Sequence, residues 1–368
     1  GGVGGAAGGG GGCAVDAGWR ADLFGDPRGE RVEYVTRTIG SGKGRAGTLR
    51  PLSGVATTAG TGSESTTICV IDFLGLHLKA GLSHARLRPS LAIIDPLTTV
   101  TLPAQVTAAS GMDVLSHALE SYTSVRFDNK PATDEPMKRP AFCGANPISD
   151  VWCEMALSLV GRYLRRAVMN GRDLEARYQM MLASTYAGTG FGNAGTHLPH
   201  ANAYHVAGAV RDYRAAGYPV MPMVPHGQAV SVTAAAVFRW TYPSDPGRHL
   251  RAAEMLSGQT FTPTDRADAL PHVLSELMTD IGMPAGLRSF GYAESDIDML
   301  VGGTLKQTRQ MAVVPRPVTP EARTPLSTES PLLGTPGLHG RPTSHPPRAP
   351  TRHPPAEPSH PPPSAHPP

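Results

Sequence analysis

The sequence predicts an α/β layer followed by a mainly α-helical part. Before about residue 103, short β-branched or aliphatic runs are separated by turn residues. Beyond "LPAQVTAASG" the texture changes to long spans of helical periodicity without turn signals. A tight glycine turn, "AGTGSES", lies between the first two apolar runs. At 368 residues the chain has material for two domains and a sizeable core.

Residues 1–25 open on "GGVGGAAGGGGG", where the backbone entropy of glycine opposes ordering, so this segment is expected to be disordered. Within 26–103, "LSGVATT", "TTICVIDF" and "SLAIIDP" are expected as strands. Within 104–314, helices are expected over 104–124, 150–168, 173–190, 226–239 and 266–281. The segment 126–150 holds four prolines and exceeds what two packed helices need, which marks a functional or disordered loop. Residues 315–368 carry 18 of the 36 prolines and five of the 14 histidines with almost no apolar periodicity, the pattern of a disordered tail.

A formal net charge of +3 without a Lys/Arg run argues against nucleic acid as partner. No stretch approaches the ~18–20 uninterrupted apolar residues of a membrane span. The four cysteines (Cys13, Cys69, Cys143, Cys153) show neither CxxC spacing nor a framework pattern, which fits a reducing compartment. No targeting segment is readable.

"GMDVLSHALESY" sets Asp113 and His117 four residues apart. On a helix, Met112, Leu115, Leu119 and Tyr122 form one apolar stripe, with Asp113, His117 and Glu120 roughly opposite. The plain reading is a surface ion pair worth ~0.3–0.5 kcal/mol. Against it, the rest of the helix is Ala, Val, Gly and Ser, so it is expected to be buried on most sides, and buried carboxylates need partners. "GNAGTHLPHANAYHVAGA" and "VPHGQAV" then bring His197, His200, His205 and His226 into a 30-residue window. Imidazoles with one carboxylate make a mixed nitrogen and oxygen donor set suited to Fe(II) or Zn(II). "TTAGTGSE" is the second functional stretch. Its successive N–H groups and the hydroxyls of Thr57, Thr58, Thr61 and Ser63 suit phosphate or ribose. Gly60-x-Gly62 lacks the third glycine of a dinucleotide fingerprint, so a simple strand-to-strand turn stays open.

These motifs, with "LAIIDPL" and "RPAFCGANPISDVW", resemble the iron-containing (group III) alcohol dehydrogenase family over about residues 30–312. The loop ending in "NPISD" and the 26-residue gap from His200 to His226 resemble its transhydrogenase branch. The resemblance implies a truncated Rossmann-like nucleotide-binding domain followed by a helical metal-binding domain, a dehydroquinate synthase-like arrangement. It implies Asp113, His117, His200 and His226 as metal ligands. His197 and His205 match no ligand position and are expected to be structural. Tyr204 stands where many relatives carry a further active-site histidine. Thr57, Thr58, Gly60, Thr61, Gly62, Ser63 and Lys79 match cofactor-contacting positions, although a solvated side chain remains the plain alternative for Lys79. Four protein ligands would close a tetrahedral zinc site, which tilts the metal toward Fe(II) over Zn(II).

Implied with these are a tightly bound NAD(H), a mitochondrial location, and hydride transfer from 4-hydroxybutyrate or 3-hydroxybutyrate to 2-oxoglutarate. The partners expected are thus small hydroxy acids and 2-oxo acids, with a homo-oligomer left open. A dicarboxylate needs a cation, for which Arg139 is the first candidate and Arg211 or Arg214 the next. The chain departs from the family in three places. No glycine motif for the pyrophosphate is matched upstream, the last family helix is replaced by the proline-rich tail, and Ala201 and His205 replace a usual glycine and proline. Two alternatives follow: a freely exchanging NAD-dependent alcohol dehydrogenase, or a metal-binding remnant without nucleotide.

Overall fold

A computed structural model describes residues 52–73, 78–83, 87–130, 134 and 142–318. The α/β part contributes four strands among the described residues. β1 (Ser53–Val55) pairs in parallel with β4 (Leu91–Ile93), placing Ser53 opposite Leu91 and Val55 opposite Ile93. β2 (Ile68–Phe73) and β3 (Leu78–Ser83) pair antiparallel, with Asp72 opposite Lys79. The three expected strands are present in shortened form, since "LSGVATT" turns away after Val55. β3 was not anticipated from the sequence. Its Leu78, Ala80 and Leu82 do alternate in sequence with Lys79, Gly81 and Ser83, a period of two.

The helical part is built around α1 (Ala104–Thr123), in which every residue from Val106 to Thr123 is buried. A helix this rich in serine and threonine can be buried because its hydroxyls bond within it. Ser116 Oγ donates to the Met112 carbonyl at 2.8 Å, Ser121 Oγ to His117 at 2.7 Å and Thr123 Oγ1 to Leu119 at 2.7 Å. The apolar stripe of Met112, Leu115 and Leu119 meets Leu157 and Leu164 of α2 (Pro147–Met169) and Met180 of α3 (Leu174–Ala194) in the main core. Gly111 leaves the space that Leu164 fills: a Cβ there would lie 2.2 Å from Leu164 Cδ1.

Local capping explains where helices start. α2 begins three residues before the expected 150 because Asn146 caps it, accepting from Ser149 N, and Pro147 occupies the first turn. The Asn-Pro pair therefore opens a helix rather than closing the 126–150 loop. α3 is capped by Asp173, which accepts from Ala176 N. Next come α4 (Leu198–Gly208), α5 (His226–Ser231), α6 (Ala234–Thr241) and α7 (Pro246–Ser257). They are followed by α8 (Ala269–Asp280), α9 (Ile297–Leu305) and α10 (Thr308–Met311). The single helix expected over 226–239 is divided at Val232–Thr233. These two residues are β-branched, and the buried Thr233 Oγ1 accepts from Asn202 Nδ2 at 3.1 Å. α4, α7, α9 and α10 were missed, although Pro199, the Asp245-Pro246 pair and the left-handed Gly258 are the start and stop signals of α4 and α7. A smaller core of Val206, Val230, Leu287 and Leu300 lies around α4, α5 and α9. No helix among the described residues is long and apolar enough to cross a membrane. The glycine tract and the proline-rich tail beyond residue 318 lie outside the described residues.

Candidate active site

Asp113 and His117 project from one face of the buried α1, at 3 % and 5 % exposure, which removes the surface-pair reading. α4 carries His200 in its first turn, and α5 opens on His226. The backbone of α5 can lie directly on α1 because residue 227 is glycine. A Cβ at Gly227 would stand 1.8 Å from the Ala109 carbonyl oxygen. The four candidate residues, far apart in sequence, thereby meet. Asp113 Oδ1 lies 3.7 Å from His117 Nε2, 3.5 Å from His200 Nε2 and 3.7 Å from His226 Nε2. One potential donor atom each from Asp113, His117 and His200 falls within a 4.8 Å span.

The cluster is polar yet incompletely satisfied. Asp113 Oδ1, His117 Nδ1 and His200 Nε2 are buried without a hydrogen-bond partner. Buried polar atoms without partners are costly in a protein that has no use for them. A divalent cation would be coordinated by such groups, so the residues present fit a metal. The His117 ring is stacked between Phe191 at 4.0 Å and His200 at 4.6 Å. Side-chain exposure is 4–6 % at Asp113, His117 and His200 but 28 % at His226, so the centre opens on the His226 side.

Electrostatics follow from that burial. Desolvation pushes the Asp113 carboxyl up, but His117, His226 and His200 outweigh it and hold the group well below the usual carboxylate range. Burial presses His117 down to about 3 against the pull of Asp113. For His200, burial is overcome by Glu120 and Asp113, and the imidazole is raised to about 10. Glu120, fully buried, approaches His200 Nδ1 at 2.6 Å and accepts the His197 backbone N–H at 2.6 Å. It was noticed in the sequence only as part of the polar face. Its signal was the i, i+4, i+7 spacing Asp113, His117, Glu120 along one helix face.

Tyr218 is a second residue that sequence reading passed over. It lies in the segment linking α4 to α5, where burial and the Asp113 carboxylate both raise its hydroxyl. That segment lies on the start of α1, with the Cβ position of Gly217 3.1 Å from Pro103 Cβ. Tyr213, in the same segment, donates to Gln228 Oε1 at 3.0 Å.

The glycine turn stands beside this centre. Gly60 faces α1 one turn before Asp113, its Cβ position 3.1 Å from Ser110 Cβ. Gly62 has φ 55°, and any side chain there would meet Gly188 Cα and Ser184 O at 2.7 Å. Thr61 Oγ1 and Ser63 Oγ lie 2.6 Å apart, and the Ser63 N–H is turned to Thr61 Oγ1 at 3.3 Å. Thr57 is exposed and Thr58 half-buried. Lys79 lies on β3 opposite Asp72.

Tyr204 is buried one helical turn past His200. His197 is held by Thr123 Oγ1 at 3.2 Å and accepts from Leu198 N, and burial presses it down to about 4. His205 Nε2 lies 3.4 Å from Gln307 Nε2. Arg211 is exposed and engaged with Asp296 at 2.5 Å, and Arg214 is exposed. Arg139 lies outside the described residues.

Two family descriptions match the chain. "Iron-containing alcohol dehydrogenase" covers residues 4–96, and "Fe-containing alcohol dehydrogenase family, C-terminal" covers residues 141–323. Both extend past the 30–312 run expected from the motifs, the first into the glycine tract. Asp113, His117 and Glu120 fall between the two ranges, and it is the packing of α4 and α5 on α1 that marks them. "Hydroxyacid-oxoacid transhydrogenase, mitochondrial" of Homo sapiens is 44% identical over 317 residues, spanning 85% of this chain and 68% of the relative. A probable protein of the same description from Dictyostelium discoideum is 41% identical over 323 residues, 84% of this chain and 59% of its own. Among solved structures, 1,3-propanediol oxidoreductase superposes with a TM-score of 0.72 at 30% identity, covering 86% of this chain and 74% of that one. Sulfoacetaldehyde reductase from Bifidobacterium kashiwanohense, in complex with NAD+, gives 0.68 at 28% identity, covering 88% and 75%.

Proposed function

The chain belongs to the iron-containing alcohol dehydrogenase family, and from that premise we propose that it is a hydroxyacid-oxoacid transhydrogenase. In this reading 4-hydroxybutyrate or 3-hydroxybutyrate is oxidised to succinic semialdehyde or acetoacetate, while 2-oxoglutarate is reduced to 2-hydroxyglutarate. The observation that carries it is the convergence of His117, His200 and His226 on Asp113 Oδ1, with unpartnered donor atoms beside a glycine turn. The mitochondrial relatives at 44% identity support the same reaction and location.

Asp113, His117, His200 and His226 would hold the metal, Fe(II) in preference to Zn(II). The turn Thr57–Ser63 and Lys79 would hold a nicotinamide cofactor retained between half-reactions. When bound, the metal supplies a Lewis acid toward the substrate oxygen and the nicotinamide supplies the hydride acceptor and donor. The chain itself provides position and exclusion of water. α1 is buried on all sides, so Asp113 and His117 cannot shift without repacking the core. Phe191 covers one face of the His117 ring and keeps water from that side. Gly60, against Ser110, brings the turn to the helix that carries Asp113, so both halves of the reaction share one rigid support. Substrate enters on the more exposed His226 side, and Tyr204, one turn past His200 on α4, is the candidate catalytic group. Arg139, which lies outside the described residues, is the candidate for the distal carboxylate.

The test is formation of 2-hydroxyglutarate from 2-oxoglutarate, dependent on 4-hydroxybutyrate, by the full chain loaded anaerobically with Fe(II). No NAD is added, and Asp113→Ala is the control. Product that disappears in the control is the expected result. Product only after addition of NAD would replace the transhydrogenase by an exchanging dehydrogenase. No product from a chain that binds metal would leave the remnant reading.

A further inference from the structure

We propose that Glu120 is a positioning residue of the metal centre: it fixes which nitrogen of His200 faces the metal and ties the two helices that carry the ligands. The inference rests on the metal reading above and adds a residue to it. Glu120 is seven residues after Asp113, on the same face of α1, and is fully buried. Its Oε2 accepts the backbone N–H groups of His197 at 2.6 Å and of His200 at 3.4 Å, so one carboxylate caps the start of α4 from across the interface. Its Oε1 lies 2.6 Å from His200 Nδ1.

A carboxylate offers only lone pairs at this contact, so the shared proton belongs to Nδ1. With Nδ1 committed to Glu120, Nε2 is the nitrogen left to face the centre, 3.5 Å from Asp113 Oδ1 and without a hydrogen-bond partner, and it is the one that would give up its proton to a metal. That is the tautomer and orientation a metal requires. A carboxylate on the far nitrogen also raises the basicity of the ligating one.

Glu120→Gln separates this role from a purely structural cap. The amide oxygen can still accept the two backbone N–H groups. Its NH2 would then face His200 Nδ1, drive the proton to Nε2 and occupy the lone pair the metal needs. The expected result, for the full chain titrated with Zn(II) against a chelator, is an affinity ~10–100-fold below wild type. Helical circular dichroism would be unchanged. Affinity within twofold of wild type would overturn the proposal.

Should the variant fail to fold, 15N NMR of histidine-labelled, Zn(II)-loaded wild type decides. The expected spectrum has His200 protonated at Nδ1 and not at Nε2, and the opposite tautomer would overturn the role. A wild-type chain that takes up no Zn(II) would remove the centre itself, and this inference with it. Tight Zn(II) binding without turnover would count only against the proposed reaction.

Discussion

Asp113 Oδ1 stands within 3.7 Å of a ring nitrogen from each of three histidines, and the chemistry of the centre turns on that one atom. Removing it in Asp113→Ala takes away the one carboxylate oxygen on which the three imidazoles converge, leaving Glu120 only on the far nitrogen of His200. Metal affinity is then expected to fall by at least ~10²-fold, read by chelator competition, since a first ligand matters no less than the groups behind it. The same electrostatics give the metal-free chain a peaked pH–stability curve. His197 is held down to about 4 and His117 to about 3, against an ordinary 6.5. Below 6.5 the unfolded chain takes up protons that the folded chain refuses, so stability falls toward pH 4. His200, raised to about 10, works in the opposite sense. Its contribution is complete below 6.5 and is lost as pH climbs through about 10. Thermal unfolding in EDTA should therefore peak near pH 6.5. Zn(II) should reverse the alkaline slope, because a ligating Nε2 cannot carry a proton. A metal-free curve that is flat on the alkaline side would contradict the His200–Glu120 coupling.

At the scale of the elements, two close helix contacts set the site. α5 lies on α1 only because Gly227 has no Cβ to meet the Ala109 carbonyl at 1.8 Å. Gly227→Ala must push the helices apart and carry His226 away from Asp113. With His226 displaced, kcat is expected to fall on the order of 10²-fold, the cost of a misplacement of about 1 Å. An alanine variant with wild-type kcat would show that His226 is held by something else. α2 meets α1 where Leu164 fills the groove over Gly111. Leu164→Ala should lower stability by about 2–5 kcal/mol in denaturant unfolding, the sum of lost burial and a cavity. Because Leu164 lies on the apolar side of α1, metal affinity should change much less than stability.

Over the whole molecule, burial is unevenly shared. α1 is enclosed by its neighbours, whereas Leu91 and Ile93 of β4 and Val55 of β1 are about half exposed. Hydrogen exchange should therefore be much slower in α1 than in β1 and β4, whose three-residue ladder has little to protect it. A metal held by Asp113, His200 and His226 would tie α1, α4 and α5 together. Zn(II) at about 100 times its Kd should raise unfolding free energy by about 2.7 kcal/mol, a stabilisation that Asp113→Ala should abolish.

The sequence alone carried the change from strand texture to helical texture, the DxxxH pair, the histidine cluster and the glycine turn. All of these are local patterns of residue type and spacing, and the family resemblance rests on them. Helix starts at Pro199 and Asp245-Pro246 were also legible but were overlooked, as was the alternation of β3. What only the tertiary structure decided is longer in range. The small residues of α1 already implied burial on most sides, but that α4 and α5 are what cover its polar face is specified by nothing within 104–123. The fate of Arg211 depends on Asp296, 85 residues away in sequence. The role of Glu120 depends on the first turn of α4, 80 residues away, coming within hydrogen-bond reach. Spacing along a helix fixes which side chains share a face, but only packing against distant segments fixes what that face meets.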